Sequence, residues 1–404
     1  MFRARPIFFT FAFLGGVLFA PLPVGSQTPP APSQAAPPQA TPPAAEKGKP
    51  AAPSTREIFP DYFEEMRLFI LEISKHIRAS NPDFVILLQN GMQLMNKAIK
   101  PDPWLSPIAI ESTEKPKTKG KTKRRTKPRK EQPIIGGTRF IPARKFMRAI
   151  DGFLVEALQV GNPDFDLLPG EDEMKRFKER LKLAETAVDH KLTVLVMDYA
   201  RTPKMVDESY KRNKSNGFVS FAAHKLATEM DSPPPYPKHP FEENSDSILS
   251  LSKIRNFLYL RNTESFGRED EYVLKLHENN YDLIVVDVFH KSKPLSKQAV
   301  ETLKFKKLGS RRMVLAYMDI GTVANYMYYW QPEWWDRLPN WVAEEHPDDP
   351  DNKFYVEFWR KEWREIVTGS PGAFIQGILN LGFDGVVLGG MESVNYFIGA
   401  TEGW

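Results

Sequence analysis

Six apolar runs in this chain stop on a carboxylate or a carboxamide. Phe84–Leu88 ends at Gln89 and Asn90, Gly152–Val155 at Glu156, and Leu192–Met197 at Asp198 and Tyr199. Phe257–Leu260 is followed by Asn262, Leu283–Val286 by Asp287, and Met313–Tyr317 by Asp319. Such groups accept hydrogen bonds from hydroxyls, and two carboxylates flanking one anomeric carbon can divide acid–base or nucleophilic work between them. The set points to a polyhydroxylated ligand. Glu156 is the sharpest member, because glutamate is a poor helix cap and this one follows a buried run directly. For Asp198 and Asp287 two readings stay open: contact with a ligand, or a cap on the helix that follows.

Other chemistries have little footing. The chain has no cysteine, which excludes disulfides, thiolate metal sites and a cysteine nucleophile. Its seven histidines never pair at metal-ligand spacing. There is no GxSxG elbow, no GxxxxGK[ST] loop, and no GxGxxG after a strand. No metal and no cofactor is expected. The stretch Tyr326–Trp341 is crowded with Tyr326, Tyr328, Tyr329, Trp330, Trp334, Trp335 and Trp341. Flat rings beside polar groups stack on sugars, so Trp330, and Tyr317 within its strand, join the candidates for ligand contact; packing of a long loop onto its own barrel is the alternative.

The elements that must position these residues follow a strand–helix rhythm. An amphipathic helix over Tyr62–Ala79 stops at Asn81-Pro82 and leads to the first apolar strand. Helices over Glu171–Asp189, after Thr202-Pro203, over Glu269–Asn279, after Lys293-Pro294 and over Glu357–Leu381 separate the later strands, of which Val386–Leu388 is the last. A Pro-rich connector, residues 231–250, divides four strands from four. Short unalternating apolar strands between helices make a parallel sheet covered on both faces, and eight of them close into a barrel. The expected fold class is therefore α/β, a (β/α)8 barrel of the TIM type, whose functional groups gather at the C-terminal strand ends.

The chain's ends and charge add an address. Arg3 and Arg5, an apolar stretch from Ile7 to Ala20 and small residues at Val24-Gly25-Ser26 read as a signal peptide over residues 1–26. The apolar run is shorter than the roughly 20 residues a membrane span needs, so a secreted or periplasmic protein without a transmembrane span is expected. Residues 27–56, nearly all Pro, Ala and Gln, read as a disordered tether. The barrel should occupy 57–404, with one half at 57–230 and the other at 251–404. An insertion at 113–133 contains Lys115–Lys130, with ten basic residues and no acid, against a formal charge of only +4 for the whole chain. That loop suits an anionic polymer or a lipid headgroup surface. Nucleic acid fits it poorly, since the protein is exported and the tract has no stacking aromatic.

With these residues in place, the chain resembles glycoside hydrolase family 114, typified by endo-α-1,4-polygalactosaminidase. The resemblance is carried by LIVVDVFHK, VLAYMDIGTVANYMYYWQPEWW, KFYVEFWRKEWREIV and NLGFDGVVLGGMESVNYF, and extends to NPDFVILLQNG, GFLVEAL, VLVMDYA and NGFVSFAA. The order is exchanged, however. In the family, segments like Leu258–Phe397 come first and segments like Tyr62–Ala227 second. The resemblance thus implies a circular permutation, opened after the family's fourth strand, with the Tyr62 helix beside the Val386 strand and the Pro-rich connector joining the family's ends. A closed barrel tolerates this because its termini lie close together.

The resemblance also implies a catalytic pair, an Asp after the family's fourth strand and a Glu after its sixth. The Glu matches Glu156. The Asp aligns with Gly389, while a second family acid aligns with Glu392, three residues further on. Thr322 and Ala324 stand where the family usually carries glutamates. Two functional expectations follow. One is an exported glycosidase cleaving an amino-sugar exopolysaccharide, with Glu156 as acid/base and Glu392, Asp319 or Asp287 as its partner. The other is a degenerate barrel that binds a glycan or an anionic envelope polymer without cutting it.

Overall fold

The computed structural model describes residues 60–99, 134–135, 138–161 and 171–399. The expected signal peptide, tether and Lys115–Lys130 tract lie outside the described residues. The described residues all belong to one unit.

Eight parallel strands make the central sheet. In chain order they are β1 (Val85–Gln89), β2 (Gly152–Glu156), β3 (Thr193–Tyr199), β4 (Val219–Ala223), β5 (Phe257–Leu260), β6 (Leu283–Asp287), β7 (Met313–Asp319) and β8 (Gly385–Gly389). Hydrogen-bonded neighbours run β4-β3-β2-β1-β8-β7-β6-β5. The first and last strands are thus partners, with Val85 opposite Gly385 and Leu88 opposite Leu388. β4 and β5 lie alongside one another without a ladder, and Phe221 and Phe257 meet there with ring centroids 5.5 Å apart. The sheet is a nearly closed barrel. Its strands are apolar on both faces because one face fills the barrel and the other packs on helices; β5, for example, has no exposed residue.

The helices follow their periodicity. In α1 (Tyr62–Ser80), Met66, Phe69, Ile70, Ile73 and Ile77 form one buried stripe, and Asp61 caps the first turn by accepting from the Glu64 amide at 3.2 Å. α1 packs against α7 (Phe374–Leu381) and α8 (Ser393–Phe397). Arg364, in α6 (Lys361–Val367), pins it through Glu65 at 3.0 Å. The remaining barrel helices are α2 (Glu171–Asp189), α3 (Pro203–Ser215), α4 (Glu269–His277) and α5 (Lys297–Leu303). Two expectations need correction. The helix expected over Glu357–Leu381 is two helices, α6 and α7, because Gly369, with φ +87°, and Pro371 fall between them. The long segment before it is not all loop: a small antiparallel sheet, Thr322–Ala324, Lys353–Val356 and Val342–Glu345, flanks the aromatic stretch.

The Pro-rich connector is not a free linker. It stands where a helix would follow β4, and it is fastened under the N-terminal floor of the barrel. Phe241 stacks on Tyr210 of α3 at 4.4 Å. Lys306, wholly buried, ties the carbonyls of Asn244 (3.2 Å) and Asp246 (2.9 Å) to the equally buried Asp282 carboxylate (2.6 Å).

Candidate functional site

The C-terminal ends of the strands converge on a polar mouth, and Glu156 is its best-fastened member. Asn90, which turns the chain out of β1 with φ 59°, accepts from the Glu156 amide at 3.1 Å and donates through Nδ2 to Oε1 at 3.3 Å. The Gln89 carboxamide also donates to Oε1, and the Tyr199 hydroxyl donates to Oε2. Burial, and then the Glu156 charge beside it, push the Tyr199 phenol well up, so it remains a donor. Both carboxylate oxygens are therefore engaged as acceptors in one orientation.

Across the mouth, Arg261 leaves β5 and lies over the Tyr317 ring, its guanidinium carbon 3.3 Å from the centroid. Its Nη1 donates to Tyr259 Oη at 3.2 Å and its Nη2 stands 3.7 Å from Asp287. Tyr259 in turn donates to Gln89 Oε1 at 3.3 Å. Asp287 accepts from the Phe289 amide at 3.0 Å, and burial raises its carboxyl above the usual range although Arg261 pulls the other way.

The third group stands on β7 and β8. Asp319 accepts from the amides of Gly321 and Thr322, each at 3.0 Å, and meets Lys353 at 3.3 Å. Burial works against that charge, but Lys353 and these hydrogen bonds outweigh it and hold Asp319 below the usual carboxylate range. Glu392, half-buried at the start of α8, behaves oppositely. Burial and the Asp319 charge push it up to about 7, in spite of Lys353, and it lies within electrostatic reach of Glu156. Asp319, Lys353 and Glu392 form one interacting set of charges.

Gly389 sits among these groups with no side chain, and Tyr317 explains why. A Cβ at position 389 would lie 1.9 Å from the Tyr317 hydroxyl and 2.5 Å from its Cζ. Tyr317 itself is 8% exposed. Burial raises its phenol well above the usual value, which keeps it neutral.

Of the residues expected from sequence, the mouth brings together Glu156, Glu392, Gln89, Asn90, Tyr199, Tyr317, Asp287 and Asp319. Asp198 does not belong there. It is fully buried, accepting from the Gln159 (2.9 Å) and Val160 (3.2 Å) amides, the Ser209 hydroxyl (2.7 Å) and the Asn213 carboxamide (2.8 Å). Strand alternation is the reason: with Tyr199 facing into the barrel, its neighbour must face the helices. Trp330 is also corrected. It is taken up in packing, stacked with Phe354 at 6.0 Å and edged by Trp334 and Trp335 at 5.2 and 5.6 Å. The exposed rings of that stretch are Tyr326 (65%), Tyr328 (53%) and Trp335 (65%). Tyr326 is within electrostatic reach of Lys353 and Arg261, which puts it at the rim.

Sequence reasoning passed over Tyr259, Arg261 and Lys353. Arg261 directly follows an apolar strand, the same signal that picked out Glu156, but as a cation it was not sought. Lys353 lies far from any barrel strand end in sequence, and only the small antiparallel sheet carries it inward. Among the described residues, no cluster of three His, Asp or Glu side chains is arranged to hold a metal ion. None of the described helices is long and apolar enough to cross a membrane.

No family model matches the chain. Three curated proteins share local similarity with it, all of them described as uncharacterized. One from Methanocaldococcus jannaschii is 26% identical over 155 residues, covering 38% of this chain and 42% of that protein. One from Thermotoga maritima is 27% identical over 130 residues, 32% and 38% of the two chains, and one from Deinococcus radiodurans is 30% identical over 113 residues, 28% and 34%. The chain thus spans less than half the length of each of these relatives in the region it matches.

Proposed function

We propose that this is an exported glycoside-hydrolase-like protein that hydrolyses O-glycosidic bonds in an amino-sugar exopolysaccharide of the polygalactosaminidase type. The observation that carries the reading is the unlike environment of two carboxylates at one barrel mouth. Glu156 is held as an acceptor by Gln89, Asn90 and Tyr199, whereas burial and Asp319 push Glu392 up to about 7. A carboxyl group pushed up in this way can serve as the acid beside a carboxylate held as an acceptor. Glu392, protonated near neutral pH, gives its proton to the leaving oxygen; Glu156 acts on the anomeric carbon or on the attacking water. This reverses the expectation that Glu156 is the proton donor. Asp287, Asp319 and Lys353 bind hydroxyl or amino groups around them, and Tyr326 offers a ring face.

Circular permutation relative to glycoside hydrolase family 114 belongs to this proposal. The open seam of the sheet lies between β4 and β5, which the Pro-rich connector joins, and not between the first and last strands, and this supports it. Similarity confined to under half of each relative is also what exchanged halves would produce, since a linear comparison can follow only one of them. Partially deacetylated galactosaminan is the test substrate. Wild-type protein should release oligosaccharides, and Glu156→Gln and Glu392→Gln should each lower the rate about a thousandfold or more. Equal product profiles for the three proteins would sink the proposal.

Gly389 favours a second reading, a barrel that holds a glycan without cutting it. The position at which the resemblance puts a catalytic Asp is filled by the Tyr317 phenol. Saturable binding of the same polymer by wild-type protein, with no product released, would select it.

A further inference from the structure

The geometry points to Arg261 as the residue that sets the direction of a hydrogen-bond chain ending on Glu156, with Tyr259 and Gln89 as positioning residues. The inference rests on the reading of Glu156 as the fastened carboxylate of the site. The chain runs from Arg261 Nη1 to Tyr259 Oη (3.2 Å), from Tyr259 Oη to Gln89 Oε1 (3.3 Å), and from Gln89 Nε2 to Glu156 Oε1. A guanidinium only donates. Tyr259 must therefore accept from Arg261, and its own proton is directed at Gln89. A carboxamide has an oxygen end and a nitrogen end, so once its oxygen is engaged its NH2 group turns to Glu156. A cation thus faces an anion through two neutral groups whose orientation it dictates, an arrangement in which each bond polarises the next. Without the Arg261 charge only the carboxylate end holds this orientation, since Tyr259 is then free to accept from the Gln89 carboxamide as well.

Gly389 belongs to the same device. Arg261 is seated on the Tyr317 ring at 3.3 Å, with its buried Nε unpartnered among the described residues, and the ring has its place only because position 389 carries no Cβ. The glycine that appears as a lost acid is, on this reading, the room that seats the cation controlling the acid that remains. The other charges facing this space are Asp287, beside Arg261, the Asp319–Lys353–Glu392 set, and Arg180, which donates to the Glu156 carbonyl and feels the Glu156 charge.

The test is a double-mutant cycle read by thermal unfolding of the full chain, using Arg261→Gln, Glu156→Gln and the double variant. Arg261 and Glu156 share no ion pair among the described residues, so a merely local role for Arg261 gives additive shifts. The chain predicts that Arg261→Gln lowers Tm by about 2 °C or more beyond its effect in the Glu156→Gln background. In a Tyr259→Phe background, which keeps the ring and breaks one bond, the coupling should vanish; Arg261→Lys should restore part of it. If Arg261→Gln does not fold, the Tyr259→Phe and Glu156→Gln cycle reads the same coupling. Additive shifts, or coupling that survives Tyr259→Phe, overturn the inference. Because the readout is unfolding, failure to cleave any polymer would sink the proposed activity and leave this result standing.

Discussion

The floor and the mouth of this barrel are built from the same residue type put to opposite uses. Two strands are bracketed by acids, Asp151 and Glu156 around β2 and Asp282 and Asp287 around β6; a third, β8, has Asp384 below it but Gly389 at its upper end. On the floor each carboxylate accepts a backbone amide from within or just before a neighbouring strand and meets a cation. Asp151 takes the Ile86 amide and Arg78, Asp282 the Arg255 amide and Lys306, Asp384 the Val314 amide and Arg311. These charges are closed. At the mouth, acids outnumber cations, Arg261 stands off from Asp287 at 3.7 Å, and Glu392 is pushed up to about 7. An acid that stabilises is neutralised where it stands, while an acid left unbalanced is held ready for something else.

That contrast can be broken most severely on the floor. Lys306→Met leaves the Asp282 carboxylate buried without its cation and should cost about 3–5 kcal/mol in urea unfolding, a loss typical of a broken buried pair. Asp198→Ala, although it lies one residue from the mouth, should behave as a floor mutation. It strands the hydrogen-bonding groups of Ser209 and Asn213 for about 2 kcal/mol and leaves ligand preference unchanged in binding assays. Trp330→Ala should also lower stability, by about 2 kcal/mol because the ring is only half-buried. Tyr326→Ala should move stability by under about 0.5 kcal/mol and weaken glycan binding instead.

The smallest of these effects has a definite sign with pH. The folded-state value of Glu392 is raised, so its contribution to stability is complete in acid, below the ordinary glutamate range, and is lost as pH rises through about 7. Glu392→Gln should therefore gain in Tm relative to wild type between pH 5 and pH 8. A difference that is flat with pH would mean that Glu392 is not held as described.

Much of the fold was legible before any coordinate. The apolar runs given above mark their barrel strands to within a residue or two, because a strand covered on both faces has few polar positions to blur it. The strand-end rule found most of the mouth for the same reason. Its failures are local. Asp198 and Tyr199 were taken together, though adjacent strand residues face opposite ways and only one of them can look inward. Lys353 reaches the mouth through a small sheet whose short aromatic strands read as loop. The interlock of Tyr317 with Gly389 is a matter of atoms on neighbouring strands, and no spacing along the chain reports it.

The claim on which the account turns is that Glu392 is a proton donor working beside Glu156. The direct measurement is the pH–rate profile for oligosaccharide release from galactosaminan between pH 5 and pH 9. Wild-type protein should lose rate as pH rises through about 7, and the residual activity of Glu392→Gln should lack that limb. No product at any pH, or the same limb in Glu392→Gln, would contradict it.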